Sequence, residues 1–420
     1  MHIWLFDSVD YNLQTLNAAY FISKRITSRK VNSFSGVIHG IAIGSVGVGL
    51  AIMIISFQIL GGFKEKIYNK MISFGGHLQV TKFSLSSSYE EDPISNETRL
   101  AYDYKQFGFI DHIQQFAHKA GLLKANDEVL GVLIKGVDKN YDFSRFKENM
   151  IEGQFIQHND TAESREIIIS KRIADKLELK LGDEPVMYFV QQPVRARRLT
   201  ITGIYETGME DFDDRLIIGD LRMVQRLNNW PDSLIGGFEV FIKNFDQIEE
   251  AHNQLYNIVD YDHFVEKISD KYAEIFDWLS LLPRNVFIFL TLTFFVACFN
   301  IISIMLILIM ERTQMIGVLK AIGASNRVIR KVFRYNGMQL ILKGLLIGNG
   351  IGIGFGALQH YFRIIKLDAD NYYMDYVPII WQWEIIVMLN IVTFSIVSLV
   401  LFIPTYIISR INPIKSIRFD

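Results

Sequence analysis

Residues 344–356, GLLIGNGIGIGFG, decide how the chain is read. Gly352, Gly354 and Ala357 form a G-x-G-x-x-A, the degenerate dinucleotide fingerprint, which needs a strand before it and a helix after it. Gly344, Gly348, Gly352 and Gly356 also recur every fourth residue, which in a helix places them along one face. The neighbours decide between the two. The preceding RYNGMQLILK (334–343) lacks the pattern of a buried strand, and the glycines lie inside a charge-free run between Lys343 and Arg363. In water each mid-helix glycine costs about 1 kcal/mol against alanine. In lipid the same residues let a neighbouring backbone approach closely, so helix packing is the expectation. Gly36, Gly40 and Gly44 repeat the spacing near the start of an earlier apolar run and are expected to pack in the same way. No G-x-x-x-x-G-K-[ST] phosphate loop occurs, so ATP hydrolysis by this chain is not expected.

Composition supports a mixture of membrane and water-soluble parts. The chain has 420 residues, half of them hydrophobic, and a formal charge of −2. Its mean hydropathy is +0.19. Charge-free runs lie between Lys30 and Lys64, Arg284 and Glu311, Lys343 and Arg363, and Glu384 and Arg410. Each approaches the roughly 20 apolar residues that cross a hydrocarbon core about 30 Å thick. The expected fold is therefore a membrane protein of four transmembrane α-helices with a large exported α+β domain between helices 1 and 2. The boundaries expected are 1–36 for an N-terminal segment, 37–60 for the first span, 61–283 for the exported domain and 284–310 for the second span. They continue with 311–334 for a short loop, 335–359 for the third span, 360–383 for an outer loop, 384–408 for the fourth span and 409–420 for a tail. Residues 18–30 read equally as a short interfacial helix or as a charged flank.

Orientation follows the basic residues beside the spans. Lys24, Arg25, Arg29 and Lys30 precede the first, six Lys and Arg from Arg312 to Arg334 lie between the second and third, and Arg410, Lys415 and Arg418 follow the fourth. Both termini are expected in the cytoplasm. The single cysteine, Cys298, lies in a span, so the exported domain must be held by its own core.

The exported segment mixes strand-like stretches (HLQVTKF, EVLGVLIKGV, EIIIS, PVMYFV, RLTITGIYE, RLIIG, GGFEVFIK) with helical ones (SKRIADKLEL, DLRMVQRLNN, DQIEEAHNQLYNIV). Near Phe264 the chain is expected to turn helical and run on into the second span. No catalytic set is evident. His112 and His118 lack the i, i+4 spacing of a zinc helix and are expected on the surface. The acidic cluster of Glu206, Glu210, Asp211, Asp213 and Asp214 does not match a calcium loop and is expected to be a solvated turn. No metal, cofactor or nucleic-acid site is expected.

The most informative stretch is MERTQMIGVLKAIGASNRVIRKVFRYNG (310–337). Ile316, Leu319 and Ile322 recur at helical spacing, and Gly323-Ala324-Ser325 gives a helix stop and a new start. Such a segment suits either docking into a partner's groove or a plain interfacial connection. The segment resembles the E-R-T-x-E-I-G-x-L-[KR]-A-x-G-A signature of FtsX/MacB-type ABC transporter permeases, and within them the chain resembles the lipoprotein-releasing LolC/LolE type. Also carrying the resemblance are FISKRITSRKVNSFSGVIHGIAIGSVGVGLAIMIISFQILGGFKEKI, EIIISKRIADKLELKLGD, LTITGIYETGMEDFDDRLIIGDL and the terminal INPIKSIR.

The resemblance implies a non-catalytic permease subunit in a bacterial inner membrane, its large domain periplasmic. A separate cytoplasmic ABC ATPase would carry ATP and Mg, and a second permease copy, identical or paralogous, would complete the assembly. It implies Glu311, Arg312, Met315, Gly317, Lys320 and Gly323 as coupling residues, with Met315 where the family usually has an acid. The implied substrate is a lipoprotein, received in an apolar cavity expected at Met53, Phe57, Leu60 and Phe63 of the first span and Phe287, Leu290 and Phe294 of the second. A periplasmic carrier is a further implied partner, although only the short VQQPVRARRL stands where LolC-type members extend a long hook. The alternatives are an FtsX-like activator of a cell-wall hydrolase and a MacB-like efflux permease.

Overall fold

The computed structural model describes Ser23 and residues 34–85, 88–126, 128–159, 162–368 and 372–407. The expected interfacial helix at 18–30, the basic flanks at Lys24 to Lys30 and Arg410 to Arg418, and the tail 409–420 lie outside the described residues. Among the described residues four helices are long and apolar enough to cross a membrane: Gly36–Gly75, Ala273–Glu311, Asn326–Phe362 and Trp383–Tyr406. An α+β domain is inserted between the first and second.

The chain divides into two compact units. Of the described residues, the membrane unit comprises those up to Gly62, Leu281–Ile364 and those from Pro378 to Ile407. The head unit comprises Phe63–Ser280 and Ile365–Val377. The outer loop expected as a separate element at 360–383 therefore contributes its middle to the head. Lys366 bridges to Tyr376 there, and Lys70 Nζ donates to Tyr373 O at 2.6 Å.

Among the described residues the head strands are β1 (Leu78–Lys82), β2 (Ile94–Ser95), β3 (Ile110–Ala125), β4 (Glu128–Val137), β5 (Met150–Gly153), β6 (Glu166–Ser170), β7 (Val186–Phe189), β8 (Arg195–Arg198), β9 (Thr200–Tyr205), β10 (Leu216–Asp220), β11 (Leu234–Ile235), β12 (Gly237–Ile242) and β13 (His263–Lys267). The main sheet runs β13-β1-β12-β3-β4-β10-β6-β9-β5, with β7 and β8 branching from β3. β4 pairs with β10, and β6 with β9, in parallel. Central strands such as β6, EIIIS, are apolar runs because helices cover them. Lys171–Lys176 begins at Ser170, whose Oγ accepts from Ile173 N at 3.0 Å, an N-cap that ends the strand and starts the helix in one residue. Ile134, Ile167, Ile169, Ile217 and Val240 are fully buried in the resulting core.

Two expectations need correction. Residues 263–267 form β13, antiparallel to β1, and the long helix begins only at Ala273. The strand wins because His263 to Lys267 pair residue by residue with Lys82 to Leu78. β3, the longest strand, was not expected at all. Its first half buries Ile110, Ile113, Phe116 and Ala117, a spacing nearer a helix than the alternation of a half-buried strand.

Candidate functional site

The third span packs on the first along the glycine face. A Cβ at Gly344 would stand 2.8 Å from Val46 Cβ, one at Gly348 2.7 Å from Gly47 O, one at Gly352 3.0 Å from Ile54 Cβ and one at Gly356 2.5 Å from Gln58 Oε1. The partners therefore climb the first span at 46/47, 50, 54 and 58, in step with the glycines. Bare backbone on one helix receives branched side chains from the other, the close approach that dispersion rewards in lipid. The first-span glycines expected in such a seam differ. Among the described residues nothing lies within 4 Å of a Cβ position at Gly40 or Gly44, and Gly36 is half-buried. Gly47 takes that role, because it falls one turn from Leu50 on the face that meets the third span.

The third and fourth spans are joined by polar contacts. Asn349 Nδ2 donates to Asn390 Oδ1 at 2.7 Å, and Asn390 Nδ2 returns a bond to Asn349 Oδ1 at 2.9 Å. Each amide also donates to its own helix, to Leu345 O and Ile386 O.

The segment expected to couple to an ATPase forms the helix Thr313–Ala321. It ends in a Schellman motif, with Gly323 N donating to Lys320 O at 3.0 Å and Ala324 N to Leu319 O at 2.9 Å. Gly323 has φ +92°, which is why glycine stands there. Ser325 then caps the third span. The segment is two-faced. Ile316 and Gly317 are buried, and Met315 and Leu319 pack against the membrane-unit core. On the opposite side Gln314, Val318 and Ile322 are open, Ile322 to 75 %. Glu311 is exposed and its carboxylate lies 3.9 Å from Arg312 Nη2, while Lys320 is half-buried. Met315 thus faces the bundle, where its apolar chain fits.

The seven residues expected to line one cavity do not share one environment. Met53 and Leu290 are buried members of the membrane-unit core, and Phe57 and Phe294 pack against it. Leu60 and Phe63 are half-buried, whereas Phe287 is 70 % exposed. Met53 and Leu290 fill the bundle rather than an open wall, since helices in close contact leave no free face at those positions.

Inside the head, the end of the first helix meets a buried polar cluster. Lys135 and Glu239 form an ion pair at 2.6 Å with both side chains fully buried. Lys135 Nζ also donates to Phe74 O, and Tyr141 OH donates to Ser73 O at 3.0 Å, so two of the carbonyls orphaned at the helix end are satisfied. Glu239 accepts from Gln114 Nε2 at 2.7 Å and Gln79 Nε2 at 3.3 Å. Burial pulls the Lys135 ammonium below its usual range, and Glu239 opposes that pull. The placement suits a cation at the negative end of a helix dipole. Next to it, burial and then Arg145 lower the His77 pKa to about 4, and its Nδ1 accepts from Ile242 N at 3.2 Å.

The acidic turn and His118 are more ordered than the sequence implied. Asp213 is buried and accepts from Thr207 N, Thr207 Oγ1 and Gly208 N, so it organises its own turn. His118 is mostly buried and its Nδ1 lies 2.6 Å from Glu91 Oε1, while Glu90 binds Lys119 Nζ at 2.7 Å. Together these acids strap the 88–92 loop to β3. The strap borders an open groove of about 830 Å³ that also reaches Phe74, Leu133, Phe212 and Tyr272.

Comparison with protein-family models places these features. The model of the MacB-like periplasmic core domain matches residues 40–258, and that of the FtsX-like permease C-terminal region matches residues 287–413. The chain belongs to the FtsX-like ABC transporter permeases with a MacB-like periplasmic domain. Similar to this permease is the lipoprotein-releasing system transmembrane protein LolE of Haemophilus influenzae, 23 % identical over 95 % of this chain and 98 % of that protein. LolC of Neisseria meningitidis is 19 % identical over 94 % and 97 %. Among solved structures, the extracellular domain of YknZ from Gram-positive bacteria aligns with TM-score 0.32 at 17 % identity, covering 45 % of the permease and 99 % of that chain. The periplasmic region of MacB from Actinobacillus actinomycetemcomitans aligns with TM-score 0.33 at 13 % identity, covering 47 % and 91 %.

Sequence reasoning about this permease missed Lys135, Glu239 and the Asn349–Asn390 pair. The asparagines carried a usable signal, since each is a polar amide in the middle of an apolar run. Lys135 and Glu239 sit in strand-like stretches where a charge reads as solvent-facing.

Proposed function

We propose that this permease uses ATP hydrolysis on a separate subunit to extract lipoproteins from a bacterial inner membrane for transfer towards the outer membrane. The reading is carried by the match of nearly the whole chain to proteins named for lipoprotein release. It is supported by the two-faced helix Thr313–Ala321 and its C-cap Ile322, where buried Ile316 and exposed Val318 and Ile322 offer a partner an apolar surface held from behind. In this reading the ATPase docks on that face in the cytoplasm and holds the ATP and Mg, this chain performs no catalysis, both termini are cytoplasmic and the head is periplasmic. Glu311, Arg312 and Lys320 border the docking face. A second permease copy completes the assembly.

The work required follows from the anchor. Each buried CH₂ contributes about 0.8 kcal/mol to membrane retention, so an anchor of several acyl chains does not leave the bilayer unaided. An apolar receiving surface offsets much of that. Phe57, Leu60, Phe63, Phe287 and Phe294 are its candidates here, with Met53 and Leu290 as support behind them. The short β7–β8 hairpin, Val186 paired with Arg198, stands where a long hook would be, so a carrier would dock without one.

Depletion of the protein tests the reading. Mature lipoproteins are expected to accumulate in the inner membrane; unchanged sorting to the outer membrane would refute it.

A further inference from the structure

We propose that Gln58 is a recognition group for the secondary amide that joins an acyl chain to the amino terminus of a lipopeptide. The inference rests on the release reading and names the chemical group that would be read. Gln58 is 2 % exposed, and among the described residues neither Nε2 nor Oε1 has a hydrogen-bond partner. The amide points into the glycine seam: a Cβ at Gly356 would lie 2.5 Å from Oε1 and 3.0 Å from Nε2. A polar side chain left unpaired in lipid is unfavourable, and the Asn349–Asn390 pair in the same unit shows how this bundle satisfies amides elsewhere.

Depth points to the ligand. At 1.5 Å per residue Gln58 lies about 32 Å along the helix from Val37, close to the far edge of a hydrocarbon core about 30 Å thick. That is the level at which acyl chains join their headgroups. Phe57 and Leu60 beside it are half-buried and apolar, suited to the chains themselves. The side-chain amide carries both donors and an acceptor, so it can bond the N–H or the C=O of a neutral amide. An amine at the same place would be protonated and would have to shed its hydration for one neutral acceptor in a dry seam. Gly356 has no side chain to obstruct entry when the outer end of the seam parts.

The test uses the full-length chain purified with its ATPase subunit in nanodiscs. Two S-diacylglyceryl-cysteinyl peptides are titrated, one N-palmitoylated and one N-hexadecylated, which differ in the amide carbonyl but not in chain length. The wild type is expected to bind the amide about tenfold more tightly. Gln58→Leu is expected to abolish that preference while leaving affinity for the amine peptide unchanged. Gln58→Met, which keeps the side-chain length, repeats the comparison with thermal unfolding as a check on folding. Equal weakening of both peptides, or an undiminished preference in both variants, would overturn the inference while leaving lipoprotein release standing. Binding of neither peptide by the wild type would overturn the release reading together with the inference.

Discussion

The first helix is held in two places by opposite means. In the membrane unit it meets the third span through bare glycine backbone, with Val46, Leu50 and Ile54 seated on Gly344, Gly348 and Gly352. In the head its last carbonyls end on Lys135 and Tyr141, inside a network closed by Glu239, Gln114 and Gln79. The difference follows the solvent. Lipid gives apolar side chains no reason to leave it, so close backbone approach must hold the seam. A helix end buried in a water-soluble core leaves carbonyls that only donors can satisfy. A seam of the first kind can separate and close with few polar bonds broken; a joint of the second kind is committed once formed.

Six substitutions sharpen this contrast. Lys135→Met leaves Glu239 buried without its cation and is expected to destabilise the head by about 3–5 kcal/mol in denaturant unfolding of the full chain. Adding Glu239→Leu is expected to recover much of that, because a buried pair replaced by apolar groups is often neutral. Acidification comes next. His77 takes its proton near pH 6.5 when unfolded and near pH 4 when folded. Between those values the unfolded chain holds more protons, so stability rises with pH and is lost as pH falls from 6.5 towards 4, by up to about 3 kcal/mol. His77→Gln keeps an acceptor for Ile242 N and is expected to flatten that dependence in unfolding curves at pH 7 and 4.5.

The seam itself is broken by volume. Gly348→Leu forces a side chain onto Gly47 O and Leu50, with an expected cost of about 1–3 kcal/mol in thermal unfolding, whereas Gly350→Leu faces open space and is expected to be near neutral. Asn349→Leu removes the reciprocal amide pair and is expected to cost about 0.6 kcal/mol, and at most about 1.7 kcal/mol, by the same measurement, the average and the maximum for hydrogen bonds between membrane helices. A larger loss at Asn349 than at Lys135 would reverse the proposed contrast.

What the sequence revealed divides along the same line. Charge-free runs locate four membrane-length helices because lipid excludes charge without regard to tertiary contacts. The glycine register of the third span was legible too, but Gly40 and Gly44 show that spacing alone does not say which face meets a neighbour. The head was legible only where strands alternate or fill with Val and Ile. β3 escaped because its inward Gln114 and Lys119 are polar and its apolar residues fall at helical intervals. The two-faced helix Thr313–Ala321 was half visible: the spacing of Ile316, Leu319 and Ile322 marks a helical segment, yet Ile316 is buried and Ile322 exposed. One-dimensional spacing cannot tell an inward isoleucine from an exposed one.

The central claim is that this chain turns a partner's ATP hydrolysis into lipoprotein release through the open face of residues 313–321 and Ile322. Its most direct test is ATP-dependent release of a labelled lipoprotein from proteoliposomes holding the full chain and its ATPase, compared with Val318→Asp/Ile322→Asp. Release by the wild type, with loss of both release and ATPase co-purification in the variant, is the predicted result. Absence of ATP-dependent release by the wild type, or undiminished release by the variant, would contradict the account.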